Sequence, residues 1–280
     1  MKNATDYLDF YNSLESPFIQ TDLELWGKIA ERTKEIPRVK IFQLIWVRYA
    51  TAATVLIIVG ATLFMKLYTE TINSEKGEHL SYVLPDGSNI NLNAETSLSF
   101  QPYWWDFSRE VELSGEAFFD VEKGEKFKIL SENGITEVIG TSFNIYSRNS
   151  DYKVFCETGK VKVSSTEANL ELIIQSGELA IIDNIKKEGI TRKADARDFI
   201  SWKDNKFVFT SEKLSSVLAE LERQYDVVIK LAIDDASELF YTGNFAKTTS
   251  IETTLNFVCK SFNLNFTKTK NNTYTIFRND

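Results

Sequence analysis

Few side chains in this chain could carry chemistry, and their spacing restricts what that chemistry is. His79 is the sole histidine. That excludes a histidine-based zinc cluster and leaves no convincing nucleophile–His–acid triad. Cys156 and Cys259 are far apart, in no Cys-x-x-Cys pattern, and fall in segments that read as different domains. Two buried thiols are expected rather than a bridge. Glu110, Glu112, Glu116, Asp120 and Glu122 lie close enough in sequence to suggest a glycosidase pair. Alternation along a strand puts several of them on a solvated face, so no enzymatic role is expected. No glycine-rich phosphate loop is present, and neither a cofactor nor a metal is implied. Trp104 and Trp105 follow Pro102 in a segment that reads as a loop. Tryptophan is favoured at interface hot spots, so the pair either contacts a partner or caps one end of a core.

The elements that position these residues divide around one feature. Residues 49 to 65, from Tyr49 to Met65, form the only long uncharged run. At ~1.5 Å per residue it spans roughly 26 Å as a helix, slightly short of a hydrocarbon core of about 30 Å. Leu67 and Tyr68 complete it if Lys66 snorkels toward the headgroups. Trp46 and Tyr68 suit the two interfacial belts. A secretory signal would have a shorter leader and small residues at a cleavage site, whereas Lys66-Leu67-Tyr68-Thr69-Glu70 follows here. A single-pass anchor over 48–68 is therefore expected. Arg32, Lys34, Arg38, Lys40 and Arg48 precede the run, and only Lys66 and Lys76 follow it closely. The positive-inside rule places the N-terminus in the cytoplasm and residues from about 69 onward outside.

The head, 1–47, reads as short helices. Tyr7, Phe10, Tyr11 and Leu14 recur at the spacing of one helical face. Ser16-Pro17 breaks that pattern. Thr21 with Glu24 forms a capping box for a second helix carrying Leu23, Trp26, Ile29 and Ala30 on one side, and Pro37 ends it. Two such helices bury little apolar surface alone. Their stripes pack on each other, lie on the membrane, or bind a partner. Through Arg48 basic and acidic residues balance, so the net charge of −8 lies in the tail. A tail of that sign is not expected to bind nucleic acid.

The tail of this chain of 280 residues is long enough for two domains. From about 69 to 183, short alternating segments are closed by turn signals such as Pro85-Asp86-Gly87 and Ser114-Gly115. This spacing predicts an antiparallel all-β sandwich or roll. Residues 184–197, rich in Lys, Asp and Arg, read as a linker. From 198 to 280 the order is β-α-β then β-α-β-β, a small α+β domain. Thr210 or Ser211 is a candidate cap for its first helix, and Asn271-Asn272 a hairpin turn.

Several of these segments resemble the FecR family of membrane anti-sigma factors. They include Leu84-Pro85-Asp86-Gly87-Ser88, Leu92-Asn93-Ala94, Arg109 through Val121, Val138-Ile139-Gly140-Thr141-Ser142-Phe143-Asn144 and Glu157-Thr158-Gly159-Lys160-Val161-Lys162-Val163, in order over about ninety residues. Ile174-Gln175-Ser176-Gly177-Glu178 departs from the Pro-Gly-Gln usual in that family. The C-terminal part is similar to the extra domain of longer members, which resembles the short N-terminal (STN) module of secretins and TonB-dependent transducers. The resemblance implies an inner-membrane protein whose cytoplasmic head holds an extracytoplasmic-function sigma factor. Its periplasmic tail would meet the signalling domain of an outer-membrane TonB-dependent receptor, and regulated-proteolysis proteases would cut the tail and then the span. It also implies a chemistry for Gly140-Thr141, the bond that in some relatives breaks by an N→O acyl shift. There the Thr hydroxyl attacks the preceding carbonyl and water opens the ester. A glycine bend entering a strand is the alternative. The rival to a regulator as a whole is a membrane-anchored periplasmic binding or scaffolding protein whose head is only a tether.

Overall fold

The computed structural model describes residues 4–14, 21–33, 41–233, 238–269 and 272–278. The Ser16-Pro17 break, the stop at Pro37, Asn271 and the side chain of Tyr7 lie outside the described residues. The chain forms two compact units, Met1–Gly60 and Ala61–Asp280.

In the first unit, α1 spans Ala4–Asn12 and α2 spans Asp22–Thr33. Thr21 starts α2, its carbonyl accepting from the backbone N–H groups of Glu24 and Leu25. Helix α3, Ile41–Leu67, continues from this unit into the second. Within it, Trp46–Leu67 has 22 residues, a mean hydropathy of 1.9 and no buried portion. That is long and apolar enough to cross a bilayer.

The second unit is β-rich. Thirteen strands form its first part. They are β1 Glu70–Ser74, β2 Leu80–Val83, β3 Asn89–Leu92, β4 Thr96–Phe100, β5 Arg109–Asp120, β6 Phe127–Ser131, β7 Gly134–Val138, β8 Ser142–Arg148, β9 Asp151–Thr158, β10 Lys160–Ser165, β11 Leu170–Gln175, β12 Glu178–Asp183 and β13 Glu188–Lys193. The main path runs β11-β10-β7-β6-β5-β8-β9-β12-β13. Every pairing in it is antiparallel except β5 with β6. Large apolar residues, among them Leu98, Phe119, Phe127, Ile129, Phe143, Ile145 and Val154, fill one core. Phe119 and Phe143 stack with centroids 5.2 Å apart.

Strand β5 organises this part. Its first half pairs with β4 and β6 and its second half with β3 and β8. The expected turn at Ser114-Gly115 is thus not a turn but the bend at which one strand changes partners. Gly115 has φ 119°, and a Cβ there would come within 2.9 Å of the Thr96 Cα. Only glycine supplies both the conformation and the close approach.

The expected linker also proves structured. Glu188–Lys193 pairs along its length with β12. It reads as a linker because β13 is an edge strand with charged residues exposed along it, the usual protection against edge pairing.

Then follow α4 Arg197–Ile200, a 3-10 turn at Ser201–Asp204, β14 Lys206–Lys213, α5 Leu214–Tyr225, β15 Val228–Ala232, β16 Phe240–Ala246, α6 Ile251–Lys260, β17 Leu264–Lys268 and β18 Thr273–Arg278. β14 pairs with β16, while β18 lies between β15 (parallel) and β17 (antiparallel). α5 follows β14 directly from Lys213 without a side-chain cap, so neither Thr210 nor Ser211 serves as one. Ser250 does cap α6, its hydroxyl accepting from the Thr253 N–H at 3.3 Å. The second core includes Leu214, Leu218, Leu221, Leu255, Val258 and Ile276, together with Trp202 and, from β5, Phe118.

Gly115→Ala is expected to lose about 2–4 kcal/mol in denaturant unfolding, combining a clash with an unfavourable φ. Gly177→Ala, also at positive φ but with open space around it, should lose about 1 kcal/mol. Equal losses would remove the close-approach argument.

Candidate functional site

Two regions stand out, one on each unit. In the first, Phe10, Tyr11 and Leu14 of the α1 segment are exposed, as are Leu23, Trp26 and Ile29 of α2. Leu23 is 86 % and Trp26 68 % exposed, and none of α2 is buried. Helical spacing makes these stripes, and nothing among the described residues buries them.

In the second unit, buried polar side chains join the β-rich part to the C-terminal elements. Glu116, in the second half of β5, accepts from Asn93 Nδ2 and Asn144 Nδ2, each at 2.8 Å. Asn144 Oδ1 accepts from the Trp202 indole N–H at 3.2 Å. Asn93 Oδ1 accepts from Gln224 Nε2 at 2.6 Å, and the same amide donates to Glu220 at 2.7 Å. Gln224 Oε1 accepts in turn from His79 Nε2 at 2.9 Å, and the His79 ring meets Trp202 edge-on at 5.4 Å. Arg223 grips Glu220 through Nε and a terminal nitrogen at 3.0 and 2.7 Å. Backbone contacts add to the junction: the Gly77 N–H donates to the Arg223 carbonyl and Lys247 to the Gly77 carbonyl, both at 2.7 Å. The Lys203 ammonium lies 3.2 Å from the centre of the Phe118 ring.

Placement follows from local rules. Phe118 and Phe119 are adjacent on β5, so one ring joins each core. On α5, Glu220 and Arg223 are three residues apart and Glu220 and Gln224 four, hence on one face.

Burial sets the electrostatics. Glu116 is pushed up to about 7, first by desolvation and then by Glu220, against the pull of Arg148 and the two asparagines. Burial also acts to raise Glu220, but Arg223, Arg148 and Gln224 outweigh it and hold that carboxyl low. His79 is lowered by burial and then by Lys247. A cavity of about 110 Å³ adjoins the network, lined in part by Glu116, Trp202 and Glu220. It has room for a few waters but not for a drug-sized ligand, whose pockets run from about 300 Å³. This arrangement is a clamp between two folded parts, without a nucleophile and base in contact.

The remaining candidates scatter. Trp105 is 3 % exposed between Phe100 and Phe127 and so belongs to the core, not to a partner contact. It is masked in sequence because a core tryptophan beside an exposed loop has no periodic signature. Trp104 is half-buried. Gly140-Thr141 connects β7 to β8, and a Cβ on Gly140 would come within 2.8 Å of the Lys123 Cα. The Thr141 hydroxyl is buried with no hydrogen-bond partner, while its carbonyl accepts from the Val121 N–H at 3.0 Å. Cys156 and Cys259 are both free and buried, in line with two thiols and no bridge. Of the acidic run, Glu112, Asp120 and Glu122 are solvated; Glu116 alone is buried. The clamp itself has almost no local signature: its hydrogen-bonded side chains lie up to 145 residues apart. The one local signal was an asparagine inside an apolar alternation, at Asn93 and again at Asn144.

Comparison with known proteins follows the same division. Residues 70–162 match the family model described as FecR protein, and residues 206–276 match that described as FecR, C-terminal. Two crystal structures of a proposed anti-sigma factor from Parabacteroides distasonis, at 2.50 and 1.65 Å, are similar to this chain. Each is 27 % identical with a TM-score of 0.70, and is matched over its whole length by 76 % and 75 % of this chain respectively. No curated protein matches the chain.

The raised Glu116 carboxyl has a measurable consequence. A carboxyl whose pKa is higher folded than unfolded contributes stability fully below its unfolded value, and loses it as pH rises through the folded value. His79, shifted down, acts oppositely and costs stability only as pH falls below about 6.5. Between pH 5 and 8 unfolding free energy should therefore fall by on the order of 1–3 kcal/mol from Glu116 alone. Glu116→Gln should flatten that slope in calorimetry. An unchanged slope would remove Glu116 as its source.

Proposed function

The chain belongs to the FecR family, and from that premise we propose that it is a single-pass inner-membrane anti-sigma regulator. Its head lies in the cytoplasm and captures an extracytoplasmic-function sigma factor. Its β-rich sandwich or roll and its STN-like C-terminal domain lie in the periplasm and receive a signal from the signalling domain of an outer-membrane TonB-dependent receptor. The basic residues Arg32 to Arg48 ahead of the span support this orientation. The observation that carries the reading is the exposed stripe Leu23, Trp26 and Ile29 on α2, just ahead of a helix fit to span a bilayer. An amphipathic helix of this kind lays its apolar face into a partner's groove. A tether would not need it, which favours the regulator over a scaffold.

One helix is a poor conductor of a conformational change, so release of the sigma factor calls for cutting of the tail and then of the span by regulated-proteolysis proteases. The unpartnered Thr141 hydroxyl supports a first cut made by the chain itself. Thr141 Oγ1 adds to the Gly140 carbonyl carbon and the C–N bond breaks. The freed amine takes a proton, and water then hydrolyses the ester to a Gly140 carboxylate and a Thr141 amino terminus.

Leu23→Asp combined with Trp26→Asp should weaken binding of the cognate sigma factor at least about tenfold, roughly 1.4 kcal/mol, in a titration with the head. Unchanged affinity would count against this face. For the cut, a C-terminally tagged protein should give two bands in blots. Thr141→Ala should leave only the longer one, while Thr141→Ser keeps both. Identical patterns for Thr141→Ala and the native chain would end the acyl-shift reading.

A further inference from the structure

The last turn of α3 and the segment after β4 meet in a cluster of aromatic rings. Tyr68 and Tyr103 have centroids 5.2 Å apart, Phe64 and Tyr103 6.1 Å, and Phe64 and Tyr68 5.7 Å. Lys66 Nζ lies 5.9 Å from the centre of the Trp104 ring, and Trp104 packs on Phe107 at 4.6 Å. Tyr103 is 53 % and Phe107 71 % exposed, although neighbouring Trp105 is buried. The β-rich part therefore anchors the segment by the Trp105 ring, covers Trp104 in part and leaves Tyr103 and Phe107 outside.

Chain connectivity says what covers them. Only Tyr68 and Thr69 separate the end of α3 at Leu67 from the start of β1 at Glu70. The three Cα steps from Leu67 to Glu70 reach about 10 Å at most, so β1 begins at the surface of whatever layer α3 leaves. Glu70 pairs with Phe100, the last residue of β4, which puts the segment immediately after β4 at that surface as well. Tyrosine and tryptophan, with an apolar body and a polar tip, are the residues that settle at headgroup depth. A lysine over a tryptophan face at the helix exit fits the same layer.

We propose that Tyr103, Trp104 and Phe107 dock into the lipid headgroup region beside the span, so that the β-rich part is held on the bilayer by a second contact besides α3. The occupant is lipid, and its source is the membrane that α3 itself crosses. This rests on the single-pass reading, and the test separates the two.

The full chain is reconstituted in phosphatidylcholine vesicles and carries an environment-sensitive fluorophore on Ser108→Cys, which spares all the rings. Companion samples carry it on Ala61→Cys, inside α3, and on Lys186→Cys, at the turn after β12. The unsubstituted chain, with its buried thiols, reports background labelling. Spin-labelled lipid bearing a shallow nitroxide should quench the Ser108 probe about threefold more than the Lys186 probe, as expected of a residue at headgroup depth. Tyr103→Ser with Phe107→Ser should abolish the difference and open the probe to aqueous iodide. If the Ser108 probe is open to iodide and blind to lipid while the Ala61 probe is lipid-quenched, docking is wrong and the span stands. Should Ala61 be blind to lipid too, the span reading falls and the docking with it. Shielding of Ser108 from iodide without lipid quenching would mean that a second copy covers the segment, and would overturn the lipid assignment.

Discussion

A carboxylate removed from water costs several kcal/mol unless donors surround it. Glu116 is in that position, and the junction between the β-rich part and the C-terminal elements is built around meeting its demand. Two asparagine amides point at its oxygens, and each asparagine's own carbonyl accepts a further bond from the other side. Trp202 and Gln224, both from the C-terminal elements, are the donors. The two parts cannot separate without taking the Trp202 indole from Asn144 and the Gln224 amide from Asn93, the residues that hold Glu116. Buried polar networks of this type fix one relative arrangement more than they add net stability.

The same junction explains why β5 is so long. A strand ending at Ser114 would reach the first core through Val111 and Leu113 alone, without Phe119, the carboxylate or the Phe118 ring that reaches the second. By bending at Gly115 and continuing, one strand joins two sets of partners and presents Phe118 and Phe119 to opposite faces. The pairing of Thr96 with the backbone at Glu116, through contacts of 3.1 Å in both directions, occupies the space a Gly115 side chain would need.

At the other end the constraint is connectivity. With two residues between α3 and β1, the first strand has no slack. The FecR-type part sits against the exit of its own helix, and the aromatic cluster at Phe64, Tyr68 and Tyr103 records that closeness. The exposed stripes of α1 and α2 obey an opposite rule: nothing among the described residues covers them.

Local pattern alone determined a good deal. The uncharged run in α3, the apolar stripes of the head, the turn at Pro85-Asp86-Gly87 between β2 and β3 and the two unbridged thiols are all short-range signals. Each depends on neighbours within a few residues, so the chain order carries them. The family motifs were legible for the same reason. What the sequence could not reveal was which polar residues are buried. Glu116 resembles its solvated neighbours, β13 resembles a charged linker, and Trp105 resembles Trp104. Their fates were decided only when distant segments packed, because burial is a property of what lies across the fold. The partners of Glu116, His79 and Gln224 are brought together by tertiary contact, and no periodicity along the chain encodes it.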